Sequence, residues 1–151
     1  MSIEENTYKN ETMHHLSKMG WTSHFQKQLE PFANDGVIPA RVVGVSKNSF
    51  RTSDGNSEWL ATLAGRLNHN VDGQYPVTGD WVLMTDAVIS RVLVRKNALS
   101  RGASGTHHKL EAQPQKEQVI AANLDTVCIV CGLDRDFNLR RIERYLTLVY
   151  N

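Results

Sequence analysis

Nothing in these 151 residues stays apolar for the ~18 positions that a membrane-spanning helix needs, and the polar start MSIEENTYKN lacks the basic and apolar regions of a signal peptide. We therefore expect no membrane partner and a cytoplasmic setting. Neither charge predominates: 17 Lys and Arg stand against 16 Asp and Glu, a net charge of +1, so the chain as a whole makes no case for a polyanionic partner. Any such case has to come from local charge. Cysteine is confined to Cys128 and Cys131, which argues against a disulfide framework. Both lie in an apolar run and read as reduced thiols buried in a core. Three residues apart on a strand, they would point to opposite faces, which speaks against one metal ion held between them. We therefore expect no metal ligands here, and we read His107 and His108, in a Gly/Ser-rich stretch, as solvated.

The pattern changes three times along the chain. Residues 1–36 read as a helical extension: Leu16, Met19, Trp21, Phe25, Leu29 and Phe32 suggest two short helices around Gly20, the second capped by Thr22 or Ser23. From Ala40 the apolar period falls to about two, in ARVVGV, SFRTS, EWLATLAGRL, DWVLMT and AVISRVLVRKN. The breaks between these runs hold turn formers: Lys47-Asn48, Ser53-Asp54-Gly55-Asn56 and Thr78-Gly79-Asp80. Five short strands within residues 37–98 predict a small barrel of the oligonucleotide/oligosaccharide-binding (OB) type, with an SH3-like barrel as its competitor. Trp59 and Trp81, each flanked by apolar neighbours, read as core rather than as base-stacking residues.

Residues 99–117 read as a basic linker loop. From Arg95 to Glu117 there are five basic residues, Arg95, Lys96, Arg101, Lys109 and Lys116, against Glu111 and Glu117. A connection of this length without apolar period is usually functional or disordered. Residues 118–151 then open like a nucleotide-binding α/β domain. The run Thr126–Val130 reads as a strand, and Leu139, Ile142, Leu146 and Val149 recur at helical spacing. Asp134 and Asp136 precede that helix and read as favouring its N-terminus, not as a catalytic pair. Arg140, Arg141 and Arg144 lie on its polar side. The fold expected is mainly β: a five-stranded OB-type barrel with short N-terminal helices, followed by one strand and one helix.

Five pieces in order, PARVVGV, GDWV at Gly79–Val82, LSR at Leu99–Arg101, VIAANLDTV and DFNLRRIERYL, make this chain resemble the ribosome-small-subunit-dependent, circularly permuted GTPases, the RsgA-like family. The resemblance runs from about Trp21 to Val149. It implies an OB barrel followed by the truncated start of a GTPase domain, and binding to the 30S subunit in late maturation with 16S ribosomal RNA as the main contact. The chain has neither NKxD nor GxxxxGK[ST], so the amide cradle and lysine that hold nucleotide phosphates are missing. No catalytic, cofactor-binding or metal-binding residue is carried over; GTP, magnesium and zinc are implied only for the full-length family. RNA affinity comes from basic side chains that displace condensed counterions, and the candidates are Lys47, Arg51, Arg66, Arg91, Arg95, Lys96 and Arg101. The alternative class is a protein-interaction or scaffold barrel with no RNA role, whose binding would show little salt sensitivity. Association through the C-terminal strand and helix is a further expectation.

Overall fold

The structure is a computed structural model and describes residues 12–68, 75–102, 117–133 and 137–150. One compact unit ends at Arg95 and a second begins at Lys96.

In the first unit, residues 12–18 form helix α1, and α2 spans Ser23–Leu29, with a 3-10 turn at Glu30–Phe32. Gly20, at φ +92°, makes the left-handed break between them that a side chain would resist. Thr22 stands at the N-cap of α2 in extended conformation, but its buried hydroxyl makes no capping bond, against the sequence expectation. The barrel strands are β1 (Ile38–Val45), β2 (Phe50–Ser53), β3 (Glu58–Leu63), β4 (Trp81–Thr85) and β5 (Val88–Val92). They close in the order β1-β2-β3-β5-β4, with β4 returning to β1 and β3 running parallel to β5. That order is the OB type and excludes the SH3-like competitor. The third predicted run divides: its tail forms a short helix, α3 (Gly65–Asn68), whose Leu67 packs on the barrel interior.

Two clusters hold this unit together. Ala40, Val42, Phe50, Ala61, Val82, Met84 and Ile89 fill the barrel. Outside it, Trp81, Leu83 and Leu93 meet Leu16 and Phe25 from the helices and Trp21 from the turn between them. The indoles of Trp21 and Trp81 meet edge to face at 4.8 Å, a favoured aromatic geometry. Strand β4 is thus buried on both faces, which is why WVLM is unbroken apolar sequence. At roughly 25 cal/mol per Å² of apolar surface, covering Trp81, Leu83 and Leu93 contributes several kcal/mol to holding the helices on the barrel. Backbone contacts fix the same seam. The Gln28 amide accepts from the Val94 N–H at 2.7 Å and donates to the Val94 carbonyl at 3.3 Å, pairing with the backbone beyond β5 as a neighbouring strand would. The Arg41 guanidinium donates to the carbonyls of Met19 and Gly79 and lies 5.7 Å from the Trp81 ring.

The second unit holds an antiparallel pair, β6 (Ala98–Gly102) with β7 (Glu117–Ala122), and helix α4 (Leu139–Tyr150). The helix begins where the sequence predicts it, with Asn138 as its cap: Oδ1 accepts from the Arg141 N–H at 3.3 Å. The strand does not. Residues 124–133 form no ladder among the described residues, and the strand preceding α4 lies earlier, at β7. Asn97 and Asn123 fasten the base of the pair, with Asn97 bonded to both backbone groups of Leu124 and Asn123 accepting from the Lys96 N–H at 2.8 Å. No helix among the described residues is long and apolar enough to cross a membrane.

Candidate nucleic-acid interface

The helices seal one side of the barrel, so its accessible side chains lie elsewhere. In OB barrels the face of strands β2 and β3, with the β1–β2 and β4–β5 turns, is where oligonucleotides bind. On β3 of this chain the outward positions Glu58, Leu60 and Thr62 alternate with the inward Trp59, Ala61 and Leu63, and Leu60 is 71% exposed. On β2 the outward residue is Arg51, paired in register with Leu60 on one side and Gly44 on the other. Its side chain extends along Gly44 and reaches Glu58 at 3.9 Å. With both partners over 60% exposed, that ion pair contributes little and leaves the guanidinium available. Lys47 is exposed in the turn immediately before β2, where the backbone of Ser46 and Ser49 closes the hairpin. The β4–β5 turn is Asp86-Ala87, both at positive φ, 48° and 58°.

The remaining predicted contacts take other positions. Arg91 lies on β5 with its guanidinium over the Phe32 ring at 4.4 Å, a cation–π contact against the helical cap. Arg95 is engaged inside the fold. Its Nε and Nη2 donate to the two carboxylate oxygens of Asp80 at 2.8 and 2.7 Å, and Nη2 also donates to the Tyr75 carbonyl at 3.1 Å. Asp80 is fully buried and also accepts from the Val77 N–H at 2.8 Å. Arg66 lies in α3. In the second unit, Lys96 is exposed before β6, and Arg101 on β6 donates to the Gln118 side-chain oxygen on β7 at 3.2 and 3.3 Å. The structure therefore brings together Lys47 and Arg51 of the seven and gives Arg95 an internal partner. His107, His108, Lys109 and Lys116 lie outside the described residues, as do Asp134 and Asp136. Arg140, Arg141 and Arg144 are exposed on α4.

Among the aromatics, Trp81 is fully buried and Trp59 is half-buried against the barrel interior, as their neighbours in sequence suggest. Among the described residues of the first unit the exposed one is Tyr75, at 49%, its ring 5.4 Å from that of Phe50; Phe137, Tyr145 and Tyr150 of the second unit are exposed as well. No period in the sequence points to Tyr75, because it falls in the long β3–β4 connection; the adjacent Pro76 is the one local sign of an ordered segment. Cys128 and Cys131 are free and exposed, not buried, since residues 124–133 join no ladder among the described residues. Among the described residues no three potential ligands gather into a metal site.

Comparison with known proteins converges on one name. The chain is 39% identical over 141 residues to the small ribosomal subunit biogenesis GTPase RsgA of Syntrophotalea carbinolica, and 39% over 149 residues to that of Opitutus terrae. It is 41% identical over 142 residues to RsgA 2 of Vibrio parahaemolyticus. These alignments cover 89%, 88% and 92% of this chain but 39%, 39% and 36% of the relatives, so the chain spans about two fifths of the length of the curated relatives it matches. No family model matches the chain. No solved structure matches it.

Proposed function

Because the chain belongs to the RsgA-like family of small ribosomal subunit biogenesis GTPases, and spans about two fifths of such relatives, we propose that it is the RNA-contacting N-terminal module of a GTPase acting in late 30S subunit maturation. Its polyanionic partner on this reading is 16S ribosomal RNA, met in the cytoplasm. The observation that carries the proposal is the exposed pair Lys47 and Arg51 on the oligonucleotide-binding face of a closed OB barrel. A cation on a turn and another on the adjacent strand suit a phosphate backbone, because each contact releases condensed counterions. Guanine nucleotide, magnesium and zinc are, on this reading, handled outside the residues of this chain, which has no phosphate-binding loop.

The test is the salt dependence of binding to purified 30S subunits. Affinity is expected to fall steeply as salt rises. Replacing Lys47 and Arg51 together by Ala is expected to flatten the logarithmic slope by on the order of one to two units, about one for each phosphate no longer neutralised. Unchanged affinity and slope in a folded double variant would remove this face from the RNA contact. Binding indifferent to salt in the unmodified chain would favour a protein-binding barrel instead.

A further inference from the structure

We propose that Tyr75 is a stacking platform for an unpaired RNA base, held in position from behind by the Asp80–Arg95 ion pair; the inference rests on the RNA reading above and adds the class of RNA recognised. Among the described residues of the first unit, Tyr75 is the one Phe, Tyr or Trp side chain that is exposed. Its own backbone and the residues that follow it are tied to the fold. The carbonyl accepts from Arg95 Nη2 at 3.1 Å, the next residue, Pro76, is buried with its φ fixed by the ring, and the Val77 N–H is bonded to Asp80. The guanidinium and carboxylate that make these bonds are themselves locked together by two charge-assisted contacts, at 2.7 and 2.8 Å. The phenol ring inclines at 58° to Phe50, which seats it against the barrel.

Phe50 is also the first residue of β2, following the turn that carries Lys47 and preceding Arg51. Tyr75 thus packs on the inward-facing first residue of β2, which the exposed Lys47 precedes and the outward-facing Arg51 follows in sequence. Cations there meet phosphates, and a planar ring meets a base. Stacking needs the base out of a helix, so the RNA is single-stranded at the point of contact, and every base has a π face to offer. The Arg95 side chain, read from sequence as a phosphate contact, becomes a positioning residue for the aromatic.

The experiment titrates the full chain with a single-stranded RNA of ~10 nucleotides, within the span of one OB fold, and with a duplex of the same sequence. Tyr75→Ala is expected to weaken single-strand binding about 5-fold or more while leaving the salt slope and duplex binding unchanged, and Tyr75→Phe to bind as the unmodified chain does. If Tyr75→Ala binds the single strand normally while the Lys47/Arg51 double variant does not, stacking is wrong and the RNA reading stands. If the unmodified chain binds neither RNA with salt dependence, both fall. Should Tyr75→Ala not fold, Tyr75→Leu and a single strand carrying 2-aminopurine decide the matter. Quenching of that base by the unmodified chain and its loss in Tyr75→Leu are expected; equal quenching by both overturns the proposal.

Discussion

Charge and backbone conformation at single positions carry the sharpest consequences. Arg95 and Asp80 sit with side chains 12% and 0% exposed, so removing one leaves the other buried and unpaired. Arg95→Ala is expected to destabilise the first unit by about 3–5 kcal/mol in urea unfolding, whereas Lys47→Ala should stay within about 0.5 kcal/mol. Equal small effects would show that the guanidinium is solvated and free for RNA after all. Ala87 is a different case. It holds φ +58° in the two-residue β4–β5 turn, a conformation that costs a side chain about 1–2 kcal/mol and glycine almost nothing. Part of that gain is offset by the greater freedom of unfolded glycine, so Ala87→Gly is expected to raise stability by about 0.5–1 kcal/mol in the same assay. A lower midpoint would mean that the alanine methyl makes packing contacts worth more than the strain.

At the scale of elements, the helices and barrel strands were legible because each has a local period. The five alternating runs became β1 to β5, and the spacing from Leu16 to Phe32 became two helices around Gly20. What no period could tell is which face of β4 the helices cover, since a strand buried on both sides looks the same whichever element supplies each side. The pair β6–β7 was missed for another reason. Ala98–Gly102 is short and contains Ser100, Arg101 and Gly102, and its partner begins at Glu117, so pairing is decided by contacts distant in sequence. The strand expected at Thr126–Val130 followed β-branched composition, yet residues 124–133 lie outside any ladder among the described residues. Val130 and Leu133 are each 91% exposed. Native-state hydrogen exchange is expected to be much faster at residues 126–133 than at Val82–Met84. Equal protection in a monomeric sample would show that the segment pairs in solution.

For the molecule as a whole, the candidate site was half legible. Lys47 and Arg51 were recoverable because a turn and an outward strand position can be read from alternation. The engagement of Arg95 was not, because its partner Asp80 lies 15 residues away, at the other foot of the β4–β5 hairpin. Nor was Tyr75, whose exposure follows from no local period. Enzymatic competence depends on what the chain lacks: without NKxD and a phosphate-binding loop it is expected to show no saturable binding of a fluorescent guanine nucleotide. Micromolar binding by one nucleotide per chain would overturn this.

Closure of the barrel has a consequence for how its specificity changes. With β4 hydrogen-bonded to β1 and β3 meeting β5 at Thr62 and Leu63, the described strands of the first unit leave a partner's backbone only the short flanks of that parallel contact to add to. Away from those flanks binding is read by side chains, and those on the outer surface of β2 and β3 can be exchanged with little cost to the ladder beneath them. Such a barrel can acquire a new target one residue at a time, without passing through a sequence that fails to fold.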